Sequence, residues 1–98
     1  MKLIVTELAE KDLDDIYDYL FALNPEAARN QIEDINEKFK QLKQFPFIGR
    51  KRPTFGSGVR SIVSGTKLIF YIVEESQIRV ARVLDGRMDL DKELEGVV

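Results

Sequence analysis

The sequence predicts an α+β fold in the order strand, helix, helix, strand, strand, strand, with a short tail, and three observations carry that prediction. A β-branched apolar run opens the chain. Apolar residues then recur with a helical period between residues 7 and 45, in two blocks split by Asn24-Pro25. Three further β-rich runs follow residue 58, separated by short polar turns.

Lys2-Leu3-Ile4-Val5-Thr6 reads as a strand, and Thr6 stands where it can cap the helix that follows. Glu7 and Glu10 occupy that helix's first turn, facing the positive end of its dipole. Leu13, Ile16, Tyr17 and Leu20 share one helical stripe, with Asp12, Asp14, Asp15 and Asp18 mostly on the outer face. Asn24 suits an N-cap and Pro25 the first helical position, where the N–H that proline lacks would have had no intrahelical partner. An antiparallel helical hairpin results. The second helix carries Ala28, Ile32, Ile35, Phe39 and Leu42 and stops near Phe45-Pro46, because a residue before proline is pushed out of helical space.

Residues 46–58 hold Pro46, Gly49, Pro53, Gly56 and Gly58 around Arg50-Lys51-Arg52 and read as a surface loop without an element of its own. Runs 59–63, 67–73 and 77–84 then form a three-stranded antiparallel meander through turns at Ser64-Gly65-Thr66 and Glu74-Glu75-Ser76. The tail, 87–94, has weak helical character and is free to lie over the sheet, hang loose or pack on a partner. A chain of 98 residues, 44 % hydrophobic, supports one core and therefore one domain over residues 1–98. The helices must bury their apolar stripe against one sheet face, which leaves the other for function.

The formal net charge of -2 conceals a strong segregation. Residues 1–37 carry three bases against ten acids, residues 38–87 eleven bases against three, and residues 88–98 one base against four. With neither Cys nor His, the chain has no disulfides, no Cys/His zinc site and no imidazole acid–base chemistry. The acids of the first helix spread around its surface and do not converge as metal ligands, so no cofactor or metal is expected. No run approaches a membrane span and no signal peptide pattern opens the chain, so the expected location is the cytoplasm, with no membrane partner.

Phe45-Pro46-Phe47-Ile48-Gly49-Arg50, then Gly58-Val59-Arg60, Leu68-Ile69-Phe70-Tyr71 and the exit from Arg82 to Leu90 resemble the RelE/ParE toxin superfamily, nearest to its ParE branch. Ala9, Asp12, Leu13, Ile16, Tyr19, Pro25, Ala27 and Ala28 extend the likeness over the two helices. The resemblance implies a toxin of a type II toxin–antitoxin pair, restrained by a small ParD-like antitoxin that wraps the hairpin and sheet. Its ParE branch implies inhibition of DNA gyrase by binding. The RelE branch implies messenger RNA cleavage on the ribosome, but Leu68 stands where those nucleases carry Arg, and Met88, Asp89 and Leu90 replace their terminal Tyr or His. Catalytic residues are therefore not expected. A ribosomal nuclease, with direct RNA binding by the basic stretch, and an orphan that only binds its antitoxin remain the other two readings.

Target contact falls to Arg50, Lys51, Arg52, Arg60, Arg82 and Arg87. Among these Arg60 leans toward a fold-fixing ion pair, and Arg82 and Arg87 toward the target. Strand period places Arg79 and Arg82 on opposite faces. Tyr17 and Tyr71 are expected to pack in the core, and Phe45, Phe47 and Phe55 to anchor the basic loop to it.

Overall fold

Strand β1 (Lys2–Val5) gives way at Thr6, whose hydroxyl accepts the Ala9 amide and starts helix α1 (Glu7–Leu23). Asn24 closes α1 and caps α2 (Pro25–Gln44), its side chain accepting from the Glu26 and Ala27 amides. Both helix starts and the stop at Phe45 match the residues that signalled them. The computed structural model describes residues 1–97.

Strands β2 (Arg50–Lys51), β3 (Val59–Ser64), β4 (Lys67–Val73) and β5 (Gln77–Asp85) join β1 in one sheet of order β1-β5-β4-β3-β2. Pairing is antiparallel except between β1 and β5, which run parallel. The stretch read as a pure loop thus contributes an edge strand, because Arg50 and Lys51 pair with Ser61 and Arg60 of β3. A 3-10 turn, Pro53–Phe55, follows it. No described helix is long and apolar enough to cross a membrane.

The hairpin covers one sheet face. Ala9, Ile35, Phe39 and Leu42 meet Ile69, Tyr71, Ile78, Val80 and Val83 in the main core. Contrary to expectation, the opposite face is not left open. A short C-terminal helix, α3 (Leu90–Leu94), seats Leu94 with Val59, Phe70 and Leu84 in a second cluster, flanked by Leu90 and Phe55. Asp89 caps α3 by accepting the Lys92 amide. Of the three courses open to the tail, it takes the one over the sheet.

One irregularity resets the meaning of the strand period. Phe70 pairs with Arg82 and Tyr71 with Val80, so Ala81 is an extra residue, a bulge in β5. Ile78, Val80 and Val83 face the helices, whereas Arg79, Arg82 and Leu84 lie opposite Ile72, Phe70 and Leu68 on the other face. The expectation that Arg79 and Arg82 point to opposite sides is therefore overturned, since one inserted residue flips every side chain beyond it.

Candidate functional site

The residues that made the sequence distinctive converge on one structural knot. Tyr71, fully buried in the middle of β4, donates its hydroxyl to the Pro46 carbonyl at 2.8 Å and accepts the Gly49 amide at 2.8 Å. The Arg60 guanidinium donates to the carbonyls of Phe47 (3.1 Å) and Gly49 (2.9 Å) and lies 5.1 Å from the centre of the Phe47 ring. Burial pushes the Tyr71 phenol above its ordinary pKa, against the opposing pull of the Gly49 amide and Arg60. Held neutral, the hydroxyl is both donor and acceptor. The structural role expected of Arg60 is real, but its partners are backbone carbonyls, with no carboxylate of the helices involved.

Arg82 is occupied inside the fold. Its Nε and Nη2 donate to the two oxygens of Asp12 at 2.7 and 2.9 Å, and its Nη1 donates to the Glu93 carbonyl at 2.9 Å. With 12 % of its side chain exposed, it ties α1, β5 and α3 together. Asp12 belongs to that latch and not to the outer face assigned to it, because it also accepts the Val83 amide at 2.9 Å. The Arg52 guanidinium lies 5.3 and 5.5 Å from the ring centres of Phe55 and Phe70 and donates to the buried Ser61 hydroxyl. Arg79 pairs with Glu74. Arg87 is 85 % exposed yet chelates Asp85, whose other partner is Lys67. Arg87, through side chain and amide, and then Lys67 hold the Asp85 carboxyl well below the usual carboxylate range.

Arg50 and Lys51 remain, exposed on the edge strand and without an ion pair among the described residues. Beside them the aromatic expectation splits. Phe55 does anchor the loop, edge-on to Phe70 at 5.7 Å, but Phe45, Phe47 and Ile48 stay largely open to solvent, Phe47 at 63 %. A basic edge next to an open apolar corner is suited to contact with another macromolecule. Of the three tyrosines, Tyr71 is buried and doubly bonded, Tyr17 packs on Phe21, and the exposed Tyr19 lies on the helical side, away from this edge. Among the described residues no three carboxylates converge as a metal site.

A small sheet with one helical hairpin, a Gly49-Arg50 turn tied to Tyr71 and an open basic edge defines the toxin class of this fold. The chain belongs to the family described as the ParE toxin of the type II toxin–antitoxin system parDE, whose model matches residues 3–90. Toxin ParE3 of Caulobacter vibrioides is 29 % identical over 94 residues, covering 95 % of this chain and 94 % of its own. Toxin ParE1 of Mycobacterium tuberculosis is 27 % identical over 93 residues, covering 93 % and 95 %. The solved structure of a chromosomal ParDE toxin–antitoxin system from P. aeruginosa superimposes with a TM-score of 0.75 at 33 % identity, over 87 % of this chain and 95 % of the other. The α+β fold and the ParE-branch reading of the motifs are borne out, and with them the role of toxin partnered by an antitoxin.

Proposed function

We propose that this type II toxin acts in the cytoplasm by binding DNA gyrase through the Arg50-Lys51 edge and the adjoining Phe47 and Ile48, and that a ParD-like antitoxin restrains it. The observation that carries binding over cleavage is the engagement of Arg52, Arg60 and Arg82 in internal contacts. Cations fixed to their own backbone and carboxylates are not available to offset charge on a phosphate in flight. Arg50 and Lys51, by contrast, have no such internal partner among the described residues. Arg87 can join the contact only by releasing Asp85, which makes it a secondary contributor.

Purified toxin at saturating concentration is expected to inhibit gyrase supercoiling or to stabilise gyrase-dependent DNA breaks. Arg50→Glu with Lys51→Glu is expected to remove that effect without unfolding the protein, since both side chains are exposed. Unchanged gyrase activity would overturn the reading. New messenger RNA ends on induction would instead favour ribosomal cleavage, and a growth-neutral induction beside tight antitoxin binding would mark an orphan.

A further inference from the structure

Arg50 and Lys51 are neighbours in the sequence, but strand period turns them to opposite faces of β2. Lys51 lies directly across from Arg60 of β3, so these two side chains share one face. With Pro53, Gly58 and Val59 they line a hollow of about 270 Å³ at the β2 end of the sheet. No acid lines it, and neither Lys51 nor Arg60 has a carboxylate partner among the described residues. Like charges opposed across two strands repel, and no described residue offsets this pair.

Arg60 is held ready for an anion. Its Nη1 donates to the Phe47 and Gly49 carbonyls, and its guanidinium lies 5.1 Å from the centre of the Phe47 ring. Nε and Nη2, a pair of donors spaced to grip one carboxylate, have no partner among the described residues. A guanidinium fixed in this way cannot follow charge through a reaction. It suits an anion that stays still, because little side-chain freedom is lost on binding. Lys51, exposed beside it, supplies a second and more mobile cation.

The class of anion follows from the rest of the molecule. A nucleic acid strand is bound by a row of free cations, whereas Lys67, Arg79, Arg82 and Arg87 are paired with acids here and the chain as a whole has a net charge of -2. A single acidic side chain needs one site only, and its methylene stem can pack against Pro53 and Val59.

We infer that this hollow takes one aspartate or glutamate side chain of the protein that the toxin inhibits, gripped by Arg60 and Lys51. The inference rests on the target-binding reading above and adds to it the chemistry of the anchor. Arg50, on the other face, contributes through its field alone.

The test titrates isotope-labelled toxin with glutarate, with inorganic phosphate and with a short DNA duplex, and measures the affinity of each variant for purified gyrase in parallel. Glutarate is expected to shift the Arg60 Nε–H signal and the Gly58 and Val59 amide signals to saturation. Lys51→Glu should abolish these shifts and Arg50→Glu should leave them. Lys51→Glu also places a carboxylate opposite Arg60 within the chain, so its thermal midpoint should be no lower than that of wild type. Its affinity for gyrase should nevertheless fall about tenfold or more. Lys51→Arg should keep the affinity, and Arg50→Glu should change it by less than about threefold. Glutarate without effect on these signals overturns the site, whatever gyrase does. Gyrase inhibition that survives Lys51→Glu overturns the hollow and leaves the gyrase reading standing. Absence of gyrase binding by wild type, with the glutarate shifts retained and growth arrest still lost in Lys51→Glu, overturns the gyrase reading and supports the hollow on another protein target. Stronger shifts with phosphate or the duplex than with glutarate assign the hollow to nucleic acid, against the inference.

Discussion

Gly49 and Tyr71 are 22 residues apart in sequence and share one site in space. A Cβ at Gly49 would sit inside the contact radius of the Tyr71 hydroxyl, 2.7 Å from its ring and 2.9 Å from the Ser61 carbonyl, so the glycine is required by close approach and not by its backbone angles. Tyr71→Phe removes the acceptor of the Gly49 amide and should cost about 1–3 kcal/mol in urea unfolding. Gly49→Ala should cost more, because neither a central strand nor a buried ring can retreat. The sequence made Pro46, Gly49 and Arg50 legible as a turn and Tyr71 as core, but no periodic signal links a turn to a hydroxyl on a distant strand. Asp85 supplies a residue-scale prediction of another kind. Its carboxyl is depressed by Arg87 and then Lys67, so its contribution is complete above the unfolded value of about 4 and fades as pH falls through the lower folded value. Asp85→Asn should therefore be less stable than wild type at neutral pH, with the gap in unfolding midpoint narrowing below about pH 4.

Strand β5 shows how an element is terminated from outside itself. Strand β1 pairs with it only as far as Val80, and beyond that point its edge would present unpaired backbone groups. The start of α1 replaces the missing strand: the Thr6 amide donates to the Val80 carbonyl, the Thr6 hydroxyl to the Ala81 carbonyl, and Asp12 accepts the Val83 amide. The bulge at Ala81 turns Arg82 to the side where it can reach the same Asp12 around the edge. Asp12→Ala should thus cost about 3 kcal/mol, as it leaves the Val83 amide unpaired and the Arg82 guanidinium with its Glu93 contacts alone. Arg82→Met should cost less, because Asp12 keeps the Val83 amide. Double-mutant unfolding measurements separate the two, and equal losses would contradict the edge-capping role. Leu94→Ala, which opens the second cluster beneath α3, should cost about 2 kcal/mol. Helices, caps and four of the five strands were legible because period, capping residues and turns are local. The bulge was not, since Ala81 differs in no local property from a regular strand residue. Nor was the burial of Asp12, whose partner lies 70 residues away. Strand β2 escaped notice because a pair of charged residues carries no strand pattern, and β3 alone brings it into the sheet.

At the scale of the whole molecule, the segregation of charge seen in the sequence becomes a separation of surfaces. The acidic α1 borders the β5 side of the sheet, and the unpaired cations Arg50 and Lys51 mark the β2 edge at the other end of the strand order. The +8 balance of residues 38–87 nevertheless overstates the free positive field, because Lys67, Arg79, Arg82 and Arg87 are ion-paired within the chain, while Arg52 and Arg60 keep their charge but are fixed in place by neutral acceptors. Arg50→Glu with Lys51→Glu should abolish gyrase inhibition and growth arrest, because the proposed contact loses both cations of the edge strand. Two assays read the pair, supercoiling at fixed gyrase and titration by the antitoxin. Antitoxin affinity is expected to stay within about threefold of wild type, since exposed charges outside an interface change binding little. If the pair impairs both activities in a protein of unchanged thermal midpoint, one continuous surface serves both partners.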